Sequence, residues 1–282
     1  MTVMKNKKSI IILVIVIVLG VAAGLIINKV RSSNDDIEPT GEPTSKTVWE
    51  NDVENNIPVV NGSGFKGYSE NVKNSYTSVK FADGVVSIDS EAFKNCAFLS
   101  EIIIPDTVTS IGDYAFSGCS GLTKVVIPDS VTTIGRYAFA DCVSLSDVKM
   151  PSKLTILDEC AFSGCTSIKD VTIPSTLKIV GDSAFAQSGV ENLVIEDGVE
   201  KIDPNAFAYT LIKTVFVPDS VTFIGAGAFS LCSELEKIEG MNKVEFAGSR
   251  AFADCPKLTD INLPSSAQID ISAFDGSENV KK

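Results

Sequence analysis

The chain contains no histidine in 282 residues. That absence excludes Ser-His-Asp and Cys-His nucleophiles and any metal site built on imidazole. No glycine-rich phosphate loop occurs, and the carboxylates are scattered rather than gathered, so the reading is a non-enzyme with no cofactor and no metal. Basic charge is also scarce, at 24 Lys and Arg against 36 Asp and Glu. Five of the basic residues lie within 1–31 and every acidic residue follows them, leaving a net −17 beyond that point. Such a surface repels phosphate backbones, which argues against nucleic acid and for basic or neutral proteins, neutral glycans or a divalent cation as partners, if it does more than keep the chain soluble.

What the chain has is a repeat. The dipeptide Ala-Phe recurs nine times in phase, ending at Phe93, Phe116, Phe139, Phe162, Phe185, Phe207, Phe229, Phe252 and Phe274, at intervals of 22 or 23 residues. A period in that range marks a stack of one small unit. Within it, Leu99-x-x-Ile102-x-Ile104 alternates apolar and polar residues, the pattern of a half-buried strand. Pro105, Pro128, Pro151, Pro174, Pro218 and Pro264 end that strand at one place, because proline cannot donate to a sheet ladder. Val108, Ile111 and Phe116 then re-enter the core as the chain loops back. Gly112, Gly135, Gly181, Gly225 and Gly248 share one slot with Asp89, Asp158 and Asp203, which predicts a tight bend at positive φ.

No single coil can bury its apolar edge alone, whereas stacked coils bury it between neighbours. The strands begin at Tyr76, Leu99, Leu122, Leu145, Ile168, Val190, Ile212, Leu235 and Leu258. The expected fold is a β-rich, curved, right-handed solenoid of about nine coils, ~40 Å long, with one parallel sheet on its concave side. Coils with Glu196 in the proline slot, or Gly240-Met241 in place of Ile-Pro, should be packed more loosely.

The unit Cys-x-x-Leu-x-x-Ile-x-Ile-Pro-x-x-Val-x-x-Ile-Gly-x-x-Ala-Phe resembles the bacterial leucine-rich repeat of BspA-like surface proteins, over Tyr76 to Ser277. The resemblance implies a cell-surface or secreted binding protein, in a family associated with adhesion to host proteins and other cells. A host matrix or cell-surface protein is the partner it suggests. A structural, envelope-associated interaction protein is the first rival reading, and a secreted hydrolase the second.

Compartment is set by the N-terminus. Lys5, Lys7 and Lys8 precede an apolar run from Ile10 to Ile27. At ~1.5 Å per residue it spans about 27 Å, enough for one bilayer crossing. Residues 1–31 therefore read as a transmembrane signal anchor that places the repeats outside the cell membrane. The alternative is a signal cut near Gly20-Val21-Ala22, which would release a secreted protein. Residues 32–45 form a polar stalk, 46–75 an N-terminal cap, and 76–282 the solenoid.

Outward positions of the strand provide the candidate binding face: Ile103, Val126, Lys149, Val194 and Phe216, flanked by Glu101, Lys124, Asp147 and Asp170. Ile103 with Val126, and Val194 with Phe216, should be neighbours across the sheet. Exposed apolar pairs rimmed by charge suit a contact surface, although single exposed valines are commonplace.

Cys96, Cys119, Cys142, Cys165, Cys232 and Cys255 occupy one slot that Ser188, Thr210 and Ser277 also fill. That tolerance describes a reduced structural ladder, with disulfides or a metal as the alternatives. Cys160 stands apart, in a variable slot beside Glu159.

Overall fold

The structure is a computed structural model that describes residues 50–52, 57–64, 66 and 73–280. The apolar run, the stalk, and Trp49, Val53, Phe65 and Tyr68 of the expected cap lie outside the described residues. Among the described residues no helix is long and apolar enough to cross a membrane.

The chain is a parallel β-solenoid with two ladders rather than the single sheet expected. It opens with β1 (Glu50–Asp52) and β2 (Ile57–Val60), which pair antiparallel. Each following coil places one strand in each ladder: β3 (Lys80–Phe81) and β4 (Ser87–Ile88), β5 (Glu101–Ile103) and β6 (Ser110–Ile111), β7 (Lys124–Val126) and β8 (Thr133–Ile134). The middle coils add β9 (Asp147–Val148) and β10 (Ile156–Leu157), β11 (Asp170–Ile173) and β12 (Ile179–Val180), β13 (Asn192–Ile195) and β14 (Lys201–Ile202). The last coils add β15 (Thr214–Val217) and β16 (Phe223–Ile224), β17 (Lys237–Gly240) and β18 (Phe246–Ala247), β19 (Asp260–Ile261) and β20 (Gln268–Ile269).

The Leu-x-x-Ile-x-Ile segments form the odd-numbered ladder, which is interrupted. Among the described residues its sheets are β1-β2-β3, β5-β7-β9, β11-β13 and β15-β17-β19. The even-numbered ladder is one unbroken nine-stranded sheet from β4 to β20. It arises from the Val-x-x-Ile part of the repeat, where Ile88, Ile111, Ile134, Val180, Ile202 and Ile224 are buried between coils. Two residues per coil are too few to show an alternating pattern in sequence, which is why this ladder was not expected.

The third side of each coil is an arc around the Ala-Phe pair. Tyr114, Phe116 and Gly118 donate their N–H groups to the carbonyls of Arg136, Ala138 and Ala140 in the next coil, at 2.7–2.8 Å. The outer two of these three donors are left-handed, Tyr114 at φ 57° and Gly118 at φ 73°. The same two slots carry φ 55° at Tyr137 and 58° at Asp141, then 55° at Cys160 and 73° at Gly164.

Positive φ was expected instead at Gly112 and its equivalents, and they do not have it. They are glycine because the coils touch there: a Cβ on Gly112 would lie 2.6 Å from the Ser90 nitrogen and 2.9 Å from the Asp89 carbonyl carbon. At two of the aspartates in this slot the side chain bonds the following turn. Asp158 accepts from the Glu159 N–H at 3.0 Å and Asp270 from the Ser272 N–H at 2.9 Å.

The phenylalanines stack face to face through the interior, with centroids 5.0 Å apart for Phe93–Phe116, Phe116–Phe139 and Phe139–Phe162. All from Phe93 to Phe252 are fully buried, and only Phe274, in the last coil, is partly open. The coils expected to be loose are not. Glu196 gives its N–H to the Ile173 carbonyl at 3.0 Å, a bond proline could not make, and its carboxylate accepts from the Ser175 N–H at 2.8 Å. Met241 is fully buried at φ 62°, directly after Gly240 at φ 81°.

Candidate binding face

The alternation of the odd-numbered strands turns every second side chain out of the core. On β5 the order is Glu101 exposed, Ile102 buried, Ile103 exposed, and on β13 and β15 the pattern runs exposed, buried, exposed, buried. Ile103 is 63% exposed and Phe216 56%, with Val126 and Val194 also open to solvent. Lys149 and Thr172 are exposed in the coils between them.

The register joins one of the two expected apolar pairs. Ile103 lies directly opposite Val126 across the β5–β7 ladder. Val194 aligns instead with Thr172, and Phe216 with Glu239. No ladder links β13 to β15 among the described residues, so Val194 and Phe216 occupy adjacent coils without being cross-strand partners. A second interruption falls between β9 and β11. There a hollow of about 390 Å³ opens, lined by Val148, Lys149, Met150, Asp170, Val171 and Thr172. Nothing in the repeat pattern signals it, because the residues on either side keep the strand alternation.

The flanking charges are largely engaged with one another. Glu101, Lys124 and Asp147 form one cross-strand column, with the Lys124 ammonium 3.2 Å from the Asp147 carboxylate. Asp170 accepts from the Asn192 amide at 2.8 Å. Exposed pairs of this kind contribute little to stability. Their effect on the face is to present paired charge around the apolar side chains.

The even-numbered ladder carries its own outward row, which the sequence reading passed over. It includes Ile156, Ile179, Phe223 and Phe246, the two rings stacked at 5.1 Å with the Lys201 ammonium 6.0 Å from the Phe223 ring. The signal was present as apolar residues one place before the buried Leu157, Val180, Ile224 and Ala247.

The cysteine slot is buried, and all seven cysteines are free thiols. Cys119, Cys142, Cys165, Cys232 and Cys255 each donate to the carbonyl of the phenylalanine in the preceding coil, Phe93, Phe116, Phe139, Phe207 and Phe229, at 3.0–3.2 Å. Ser277 does the same to Phe252 at 2.7 Å, while Ser188 and Thr210 bond Phe185 and Phe207 of their own coils. A buried carbonyl left with one lone pair unused is costly, which accounts for a slot restricted to small donors. Among the described residues no cluster of three or more Cys, Asp or Glu could hold a metal ion.

Burial pushes the Cys142 thiol up to about 12, and raises Cys119 and Cys165 for the same reason. Cys160 is half-buried, and burial raises its thiol despite hydrogen bonds from Tyr137 and Ser183 that act the other way. In a thiol-titration assay on native protein, Cys160 alone should react at a measurable rate. The remaining six should appear only in denaturant, and rapid native labelling of several would contradict the packing.

A family model for the BspA type leucine-rich repeat region, in six copies, matches residues 86–212 and 157–281. The fold is similar to that of a leucine-rich cell surface protein from Faecalibacterium prausnitzii, at 23% identity and a TM-score of 0.58, over 86% of this chain and 88% of that one. A leucine-rich repeat protein of T. pallidum gives 23% identity and 0.46 over 77% and 90%. The pneumococcal vaccine antigen PcpA gives 19% and 0.41 over 79% and 71%. No curated protein matches the chain. The matched region spans most of the chain, which belongs to the BspA-type leucine-rich repeat family, a family of scaffolds.

Proposed function

We propose that the protein is a non-catalytic receptor or adhesin, held at the cell membrane by its N-terminal apolar run with the repeats outside. It engages a protein ligand through the outward row of the odd-numbered ladder, on the concave side. The observation that carries this reading is the exposure of Ile103 beside Val126, and of Phe216 one coil on from the exposed Val194, with paired charge around them. Rigid apolar anchors with a polar rim are how interfaces gain affinity. The acidic surface favours a ligand that is basic or neutral where it meets the face.

Pull-downs with the purified protein identify the ligand: host matrix proteins under this reading, the organism's own envelope components under the structural alternative. Once a ligand is in hand, Ile103→Glu and Phe216→Glu should each weaken binding by at least about tenfold, as expected for central anchors. Ile156→Glu, on the other ladder, should leave it unchanged. Loss of binding with Ile156→Glu and retention with the first two would place the contact on the opposite face.

A further inference from the structure

The turn after β2 carries a chemistry that the repeats do not share. Of all the asparagines in the chain, only Asn61 is followed by glycine. Its main-chain carbonyl accepts the Gly64 N–H at 3.0 Å, which closes the turn Asn61-Gly62-Ser63-Gly64. Its side-chain Oδ1 accepts twice from Ser63, from the N–H at 3.1 Å and from the hydroxyl. Among the described residues the Asn61 side-chain nitrogen donates to nothing, and the Gly62 N–H meets no acceptor. Asn61, Gly62 and Ser63 are half-buried, so water reaches them.

Each of these features assists one reaction. With no Cβ on Gly62, nothing hinders approach of its nitrogen to the asparagine side chain. Its unbonded N–H can give up the proton to solvent base. The two Ser63 donors sit on the oxygen where negative charge develops as a nucleophile adds to Cγ. We propose that Asn61 is a self-modification site, at which the Gly62 nitrogen attacks the Asn61 Cγ and closes a five-membered succinimide. The Cγ–Nδ2 bond breaks, and ammonia leaves with a proton taken from water. Water then opens the ring at either carbonyl, and nothing is oxidised or reduced. Opening at Cγ gives aspartate. Opening at the main-chain carbonyl gives isoaspartate, in which the chain runs on through Cβ and Cγ and is one carbon longer.

That extra carbon has a consequence because the turn is docked on the first coil without slack. A Cβ on Gly62 would fall 2.1 Å from the Ser87 carbonyl oxygen, and one on Gly64 2.6 Å from that of Ala92. The Gly62 carbonyl also holds the Asp89 N–H at 2.7 Å, just after β4. Lengthening the chain at residue 61 displaces Gly62 from that bond, so the segment that covers the first coil loosens as the protein ages.

Incubation of the full chain in detergent at mildly alkaline pH, followed by peptide mapping with mass spectrometry, tests this. The peptide carrying residue 61 should turn acidic and split into aspartyl and isoaspartyl forms before any peptide with another asparagine does. Conversion should run at least as fast in the folded chain as in denaturant. Ser63→Ala removes one of the two donors, and should slow the folded chain by roughly tenfold while leaving the denatured rate unchanged. Hydrogen exchange at the Asp89 amide should quicken as isoaspartate accumulates. Freshly purified Asn61→Asp, which has the charge without the added carbon, should keep that amide protected. An Asn61 that stays intact, a folded chain slower than the denatured one, or a rate indifferent to Ser63→Ala overturns the site. Protection at Asp89 that survives full conversion to isoaspartate overturns its effect on the first coil.

Discussion

Replacing Phe139 by alanine is expected to cost about 3–5 kcal/mol of folding free energy, the range for truncating a buried aromatic. Its ring is sandwiched between Phe116 and Phe162 with centroids 5.0 Å away on both sides, and it is wholly buried. The cavity would sit between two coil interfaces at once, and the neighbouring backbones cannot collapse into it. Phe139 and Phe116 each bond the alanine carbonyl of the following coil at 2.7–2.8 Å, which fixes their spacing. Because each coil touches only its neighbours, weakening one junction should also uncouple the array into two blocks. Denaturant melts followed by circular dichroism should show an earlier and broader transition. Phe274→Ala, in the half-open last coil, should cost clearly less. Equal costs for the two would mean that burial does not govern stability along the stack.

Gly240→Ala should be nearly as damaging, for a different reason. Its φ of 81° puts any side chain in the left-handed region, at about 1–2 kcal/mol. A Cβ there would also run into the Val217 carbonyl of the coil beneath. Overpacking of that kind costs about 1–3 kcal/mol more. Gly84 separates the two effects: its φ is 79°, yet a Cβ would meet nothing within 4 Å. Gly84→Ala should therefore lose only the conformational part. The difference between the two variants, read from their denaturation midpoints, measures how closely the coils approach. No difference would indicate that β15 and β17 approach less closely than the structure has it.

The repeat and its buried side chains were legible because burial leaves a period. Phe116 and its equivalents, the strand Leu99-x-x-Ile102-x-Ile104 and the proline after it recur in phase, and each corresponds to an element of the structure. Features set by contacts between coils were not legible. The even-numbered ladder rests on hydrogen bonds between residues 22 or 23 apart and on two residues per coil. The left-handed conformation of Tyr114, Tyr137 and Cys160 serves the arc, which places no demand on side-chain type. At Gly112 the demand for glycine was recognised and its cause misread, since close approach and positive φ select the same residue. On the binding face, alternation was enough to turn Ile103, Val126, Val194 and Phe216 outward. It could not foresee the interruptions beside β11 and β15, which separate Val194 from Phe216 and open the hollow near Lys149.

Amide hydrogen exchange along the chain tests the stacked architecture most directly. Protection should peak once per coil at Phe93, Phe116, Phe139, Phe162, Phe185, Phe207 and Phe229, whose N–H groups are held by the alanine carbonyl of the next coil. It should decline toward the last described coil, where Phe274 is only partly buried and opening requires the least loss of contact. Protection without the period of 22 or 23 residues, or confined to separate blocks with unprotected phenylalanines between them, would contradict a continuous solenoid.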